Sequence, residues 1–255
     1  HKASSREIEN NILKSKIFKV YCDNRKVYGC IKITRILRDD GYPKLSVNRV
    51  SRLMKQLGIR SVTIRKFKNY RHKQNEHSEL KNLVNQNFSA QKPNQIWLSD
   101  ITYIHTVKNG WTYLASVLDV CTRKIVGYSY GRKMDRSLVI SALTNSWQNQ
   151  NYPNNVILHS DRGSQYTSSE YIAAAERMGF RLSYSKKGCP FDNAPMESFH
   201  SVLKKEEVYL KHYSSFHEAN IRLFDYINGF YNRYRIHSAI NFLSPIQFEN
   251  SLFYS

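Results

Sequence analysis

"IWLSDITYIHTVKNGWTYLASVLDV", residues Ile96 to Val120, decides the fold. Apolar and polar side chains alternate through Ile96–Thr106, the period-two signature of a strand. Lys108-Asn109-Gly110 supplies a hairpin turn, and "WTYLASVLDV" returns as a second strand of β-branched and aromatic residues. Reading outward, "KIVGYSYG" (124–131) is a third strand, and "MDRSLVISALTNSWQNQ" (134–150) is a helix capped by Asp135 with Leu138, Ala142, Leu143 and Trp147 on one face. "NVILHSD" (155–161) is a short buried strand, "TSSEYIAAAERMG" (167–179) a helix, and "RLSYS" (181–185) a strand. Three strands followed by alternating helix and strand predict an α/β fold, a mixed sheet covered by helices.

The chain carries 39 Lys+Arg against 20 Asp+Glu, a net charge of +19, so its natural partner is a polyanion. Its 41% hydrophobic and 13% aromatic content fills a core and excludes a disordered basic tail. Cys22, Cys30, Cys121 and Cys189 are widely separated, with none near His72 and His77, which points away from a zinc knuckle or a disulfide framework and toward a reducing compartment. No apolar run reaches membrane-spanning length and no signal segment opens the chain, so a soluble cytoplasmic protein is expected. A start at His1 rather than methionine is expected of a piece trimmed from, or joined to, a longer chain.

Before the sheet, residues 25–60 read as two helices. "KVYGCIKITRILRDDG" (26–41) holds Val27, Ile31, Ile36 and Leu37 at roughly helical spacing. The second helix has Ser46 as N-cap, Val47, Val50, Leu53, Met54 and Leu57 as its stripe, and Gly58 after its end. Its other face shows Asn48, Arg49, Arg52 and Lys55, donors suited to phosphates and base edges. A helix-turn-helix contact with DNA and an ordinary basic helix pair both fit. Residues 61–92 read as a basic linker with a short helix near Glu79–Val84. After the core, Ser215 and Glu218 form a capping box for a helix whose apolar face is Phe216, Ala219, Ile221, Leu223, Phe224, Ile227 and Tyr231. The boundaries are thus 1–60 helical, 61–92 linker, 93–210 core and 211–255 helical extension.

Three carboxylates stand out. Asp100 interrupts the apolar row Ile96, Leu98, Thr102, Ile104, where a bare charge is costly. Asp161 ends a buried strand, the place where α/β sheets put their chemistry. Either acid alone could equally bind a buried arginine or cap a turn. Glu197 falls in the first turn of a helix started by Pro195, which a dipole or capping role also explains. At ~100° per residue, however, Lys204 lies on the face of Glu197, with His200 and Ser201 flanking and Met196, Phe199 and Leu203 opposite. Acids converging from two strands and a helix suit Mg²⁺, and two such ions about 4 Å apart can serve in-line phosphoryl transfer.

With Asp100 in "W-x-x-D-I-T", Asp161 in "HSDRGSQY" and Glu197 in "G-x-P-x-D-N-A-x-x-E-S-F", with 35 residues between the last two acids, the chain resembles the D,D(35)E transposases and retroviral-type integrases. It is most similar to the second reading frame of the bacterial insertion-sequence-3 family, through "VYGCIKITRILRDDGYPKLSVNRVSRLMKQLGIRS" (27–61) and "YNRYRIHSAINFLSP" (231–245) as well. The resemblance implies an RNase H-like core with a mixed five-stranded sheet, an N-terminal helix-turn-helix-like region and a helical tail. It implies two Mg²⁺ ions, with Mn²⁺ as substitute, held by Asp100, Asp161 and Glu197. It implies DNA cleavage and strand transfer at element ends by a homo-oligomer, with Lys204 near the cut phosphate. Further DNA contacts are expected from His200, Arg162, Lys186, Lys187 and Arg235. A nuclease that does not join strands and a non-catalytic DNA-binding regulator are the competing readings.

Overall fold

The computed structural model describes residues 4–63, 80–186 and 190–253. β1 (Ile96–Thr106) and β2 (Gly110–Asp119) form the expected hairpin, turned at Gly110 with φ +65°. β3 (Ile125–Gly131) pairs antiparallel with β2, while β4 (Ile157–Ser160) and β5 (Arg181–Tyr184) add in parallel on the other side of β1. The sheet order is β3-β2-β1-β4-β5.

Because side chains alternate across a strand, the sheet feeds two cores. Trp97, Ala115, Val117 and Val126 pack against α4 (Arg136–Asn149) and α5 (Ser169–Arg177). Leu98, Ile104, Leu114 and Leu118 pack against α6 (Ala194–Glu206) and the C-terminal tail. Asp135 caps α4 as the sequence predicts, its Oδ1 accepting from the Leu138 N–H at 3.2 Å. The helix lies so close to β3 that a Cβ on Gly127 would stand 2.5 Å from the Ser146 nitrogen.

The N-terminal unit has three helices, α1 (Ser5–Asp23), α2 (Cys30–Asp39) and α3 (Val47–Gln56), where the sequence reading finds only the last two. Exposed Ile8, Ile12 and Phe18 blur the buried stripe Leu13, Ile17, Tyr21, which hides α1 from a periodicity argument. Its start is nonetheless written in the sequence. Ser4 Oγ accepts from Glu7 N–H at 3.2 Å and Glu7 Oε2 accepts from Ser4 N–H at 2.7 Å, a complete capping box.

Two further expectations change. Residues 80–84 form no helix; the chain lies along β5, with Leu83 N–H donating to Ser183 Oγ and Tyr184 N–H to the Lys81 carbonyl. The rest of the expected linker, residues 64–79, with His72, His77 and Glu79, is outside the described residues. In the tail, α7 (Phe216–Phe224) runs on into a π-helical segment, Asp225–Tyr231. The wider turn changes the phase of the apolar face: Ile221 and Phe224 are exposed, while Tyr226, Ile227, Phe230 and Tyr231 are buried. α8 (Pro245–Phe253) closes the chain. Among the described residues, no helix is long and apolar enough to cross a membrane.

The tail is tied down by a buried ion pair. Arg235 donates from Nε and Nη2 to the two oxygens of Glu206 on α6, each at 2.8 Å, and Tyr226 Oη donates to the same carboxylate at 2.8 Å. Asn232 mimics a strand at the free edge of β3, accepting from the Ile125 N–H and donating to its carbonyl, both at 2.9 Å. The hairpin tip is held too, with Val107 and Lys108 N–H groups on the Tyr213 and Ser214 carbonyls.

Candidate active site

β1 and β4 run parallel with Ser99 opposite Ser160, so Asp100, within β1, and Asp161, just past the end of β4, lie at one level on adjacent strands. Neighbouring strands lie about 4.8 Å apart, which makes the two carboxylates electrostatic neighbours. Asp100 Oδ1 accepts from the Ile101 N–H at 2.8 Å, and its Oδ2 lies 3.4 Å from His200 Nδ1. Asp161 Oδ1 accepts from the Gly163 N–H at 2.9 Å. Asp161 as a whole residue is exposed, yet the protein packed about its carboxyl raises its pKa; the negative charge of Asp100 raises it further and the Gly163 N–H opposes the shift.

The third acid arrives on α6. Pro195 is the second residue of this helix, so Glu197 is the fourth rather than the third, one position later than the sequence reading places it. Met196, Phe199 and Leu203 bury the expected stripe. Glu197 precedes His200 by three residues, neighbours on a helix surface, and His200 touches Asp100. α6 is thereby brought against the middle of β1, level with the end of β4. Among the described residues, no group of three His, Cys, Asp or Glu side chains is drawn close enough to enclose a metal ion. The donor set still fits a hard cation: oxygen ligands only, two of them side by side, with mutual repulsion that a cation would relieve.

The lead-in to α6 is anchored by Asp192, a residue the sequence reading leaves unassigned. It is buried and accepts from Asn82 Nδ2 and Gln86 Nε2, each at 2.9 Å, and from the Lys186 N–H at 2.7 Å. His159 is also buried, with Nδ1 2.8 Å from Ser183 Oγ and Nε2 3.1 Å from Ser185 Oγ. Burial lowers its pKa to about 4, so this neutral imidazole braces β4 against β5 just before Asp161. Asp in a loop and His in a strand carry no periodic signal, so only the three-dimensional partners disclose both roles.

Several expected DNA contacts are occupied by the protein itself. Arg235 is 7% exposed and bidentate on Glu206, so it holds the tail and is not presented to a ligand strand. His200 is buried against Asp100 rather than flanking the open face of α6. Arg49 turns back onto α1, donating to both Glu9 oxygens at 3.1 and 2.8 Å and to Asn10. Arg162 donates from Nε to the Ser185 carbonyl at 2.8 Å, tying the two strand exits together. Burial of a polar group demands a partner, and each of these side chains found one inside the fold. Asn48, Arg52 and Lys55 are exposed on α3, Lys186 is exposed beside the site, and Lys204 is half-buried on α6. Lys187 lies outside the described residues.

A family model described as an integrase core domain matches residues 90–190, one described as an HTH-like domain matches residues 7–67, and a further integrase core domain model matches residues 197–253. The transposase for insertion sequence element IS904 of Lactococcus lactis subsp. lactis (strain IL1403) is 39% identical over 247 residues, 96% of each chain. Transposase InsF for insertion sequence IS3A of Escherichia coli (strain K12) is 38% identical over 242 residues, 91% of this chain and 83% of that protein. Among solved structures, the simian T-cell lymphotropic virus intasome, in complex with PP2A regulatory subunit B56 gamma, superposes with a TM-score of 0.53 at 15% identity. The match covers 91% of this chain and 74% of that one, which establishes an RNase H-like retroviral integrase fold. With 38–39% identity to these transposases along more than nine-tenths of its length, the chain belongs to the insertion-sequence-3 family of transposases.

Proposed function

We propose that the protein is a transposase that cleaves DNA at insertion-sequence ends and transfers the freed strand, with Asp100, Asp161 and Glu197 holding two Mg²⁺ ions, or Mn²⁺ in their place. The observation that carries the reading is the parallel pairing of Ser99 with Ser160, which sets two carboxylates side by side, with α6 and Glu197 fastened to them through His200 and Asp100. When bound, the ions supply Lewis-acid stabilisation of the attacking and leaving oxygens.

The chain's own residues do the rest. Gly163 N–H and His200 orient the two strand carboxylates, Asp192 fixes the entry to α6, and Lys204 meets the DNA near the cut phosphate. In transfer, a freed 3′-hydroxyl attacks a phosphorus and the displaced 3′-oxygen leaves, so one phosphodiester forms as another breaks. Residues 1–60 bind DNA, with Asn48, Arg52 and Lys55 of α3 toward phosphates and base edges. Residues 61–92 link this unit to the core (93–210), and 211–255 buttress α6. The protein works as a homo-oligomer on DNA at the nucleoid of the bacterial cytoplasm.

Incubating the protein with labelled element-end duplex and Mg²⁺, Mn²⁺ or a chelator tests this. Metal-dependent products with one end joined to another DNA strand are expected. Nicked products with no joining would instead establish a nuclease, and binding without any cleavage a regulator.

A further inference from the structure

Against α6 lies a cavity of about 420 Å³ whose wall carries Lys32, Arg123, Arg235 and His237. At ~100° per residue, its helix lining Ala194, Ser198 and Val202 sits roughly 100° around α6 from Glu197. Lys32 comes from α2, Arg123 from the β2–β3 turn, and Arg235, whose Nε and Nη2 are held by Glu206, and His237 from the tail, so three distant parts of the chain bring basic groups to the lining of one space.

No acid lines the cavity among the described residues; Glu206, the nearest carboxylate to Arg235, is already bidentate on it. Arg123 Nε is buried with no hydrogen-bond partner, and its backbone sits at φ +62°, a left-handed conformation an arginine rarely adopts. The basic groups repel one another. Burial lowers the Lys32 pKa to about 7 with Arg235 contributing, and burial lowers that of His237 to about 2 with Arg235, Lys32 and Arg123 contributing. Such a cluster is costly without a counter-charge, and a bound anion would repay it. Phe199 and Tyr231 form an apolar wall, and the volume falls in the ~300–1,000 Å³ range of small-ligand sites, larger than phosphate alone requires.

We propose that this cavity is a binding site for a phosphorylated nucleotide unit, its phosphate between Lys32 and Arg123 and its base against the accessible apolar lining at Val202 and Ala239. The unit is either a free nucleotide or the 5′-phosphorylated end of a DNA strand. Ligand there bridges the N-terminal helices, the sheet and the tail around α6, so it couples the DNA-binding unit to the helix that carries Glu197.

Calorimetric titration of the full chain at constant ionic strength, in a phosphate-free and metal-free buffer, tests this with deoxyadenosine 5′-monophosphate and with deoxyadenosine. The monophosphate should bind at least about tenfold tighter, and Lys32→Met and Arg123→Met should each weaken it by about tenfold. Lys32→Met removes a half-buried charge whose ammonium, over the Tyr28 ring at 4.5 Å, has no carboxylate bonded to it, and should raise the melting temperature, so its loss of affinity is separable from misfolding. Equal binding of the two compounds, no binding, or affinity unchanged by both substitutions would overturn the proposal. Displacement of the monophosphate by a 5′-phosphorylated oligonucleotide, but not by the same oligonucleotide unphosphorylated, assigns the site to strand ends; displacement by neither assigns it to the free nucleotide. The readout is binding without metal, so its failure leaves the strand-transfer reading standing, and the reverse holds.

Discussion

Replacing Arg235 with methionine separates two roles for this residue that the sequence cannot distinguish. The guanidinium is 7% exposed, makes two 2.8 Å bonds to Glu206, and the same carboxylate accepts from Tyr226 at 2.8 Å. Removing one partner of such a pair leaves a buried carboxylate uncompensated, which costs about 3–5 kcal/mol. Replacing Glu206 by methionine as well removes the stranded charge and leaves the Tyr226 hydroxyl unpaired, a loss of about 1–3 kcal/mol. Urea unfolding of the wild type, both single variants and the double variant therefore should give a double variant more stable than Arg235→Met alone. DNA affinity of the folded Arg235→Met protein should keep the wild-type dependence on salt. A stable Arg235→Met protein whose log–log salt slope drops by about one would refute the reasoning and return Arg235 to the DNA interface.

Other outcomes follow from the same packing. Lys32→Met should stabilise the ligand-free protein. The Lys32 pKa is lowered from 10.5 to about 7, so the penalty is full below pH 7 and fades as pH rises toward 10.5; at ~1.4 kcal/mol per pH unit the gain is a few kcal/mol at pH 6, shrinking to little near pH 10, as denaturation at the two pH values will read. Gly127→Ala should lose at least about 3 kcal/mol, because the new methyl meets the backbone of Ser146, which cannot rotate away; a melting curve within a degree or two of wild type would contradict the close approach of α4. Arg52→Ala and Lys55→Ala, exposed on α3, should each lower the salt slope of DNA binding by about one with stability unchanged, read by binding isotherms between 50 and 200 mM salt.

What could be read from the residues differs from what could not for physical reasons. The Asp135 cap and the strand at Ile96–Thr106 report local rules and both appear, although burial alternates only from Thr102 to Thr106, since both faces of the sheet are covered at Trp97, Leu98 and Ser99. The faces of α6 follow from helix geometry, which is why Met196, Phe199 and Leu203 are buried as a stripe. His200 lies toward the acids, as the wheel has it, but a wheel gives an angle and not a partner: Asp100 draws the imidazole inward and buries it. Arg49, Arg162 and Arg235 were read as open donors from charge alone, while their carboxylate and carbonyl partners lie 40, 23 and 29 residues away in sequence. The π-helical turn at Asp225 shifts the tail's apolar face by a hydrogen-bond register that no propensity scale encodes. Helix α1 is the contrary case, since Ser4-x-x-Glu7 announced it and the exposed Ile8 and Ile12 concealed it.

The central claim is that Asp100, Asp161 and Glu197 act as one metal-dependent site for joining DNA strands. Strand transfer by Glu197→Gln on labelled element-end DNA in Mg²⁺, measured beside its DNA affinity and melting temperature, tests it most directly. The account predicts joined product reduced at least a thousandfold, with affinity and stability close to wild type, since Glu197 is exposed at the start of α6. Joining that persists within tenfold of wild type in a folded, DNA-bound variant would contradict it.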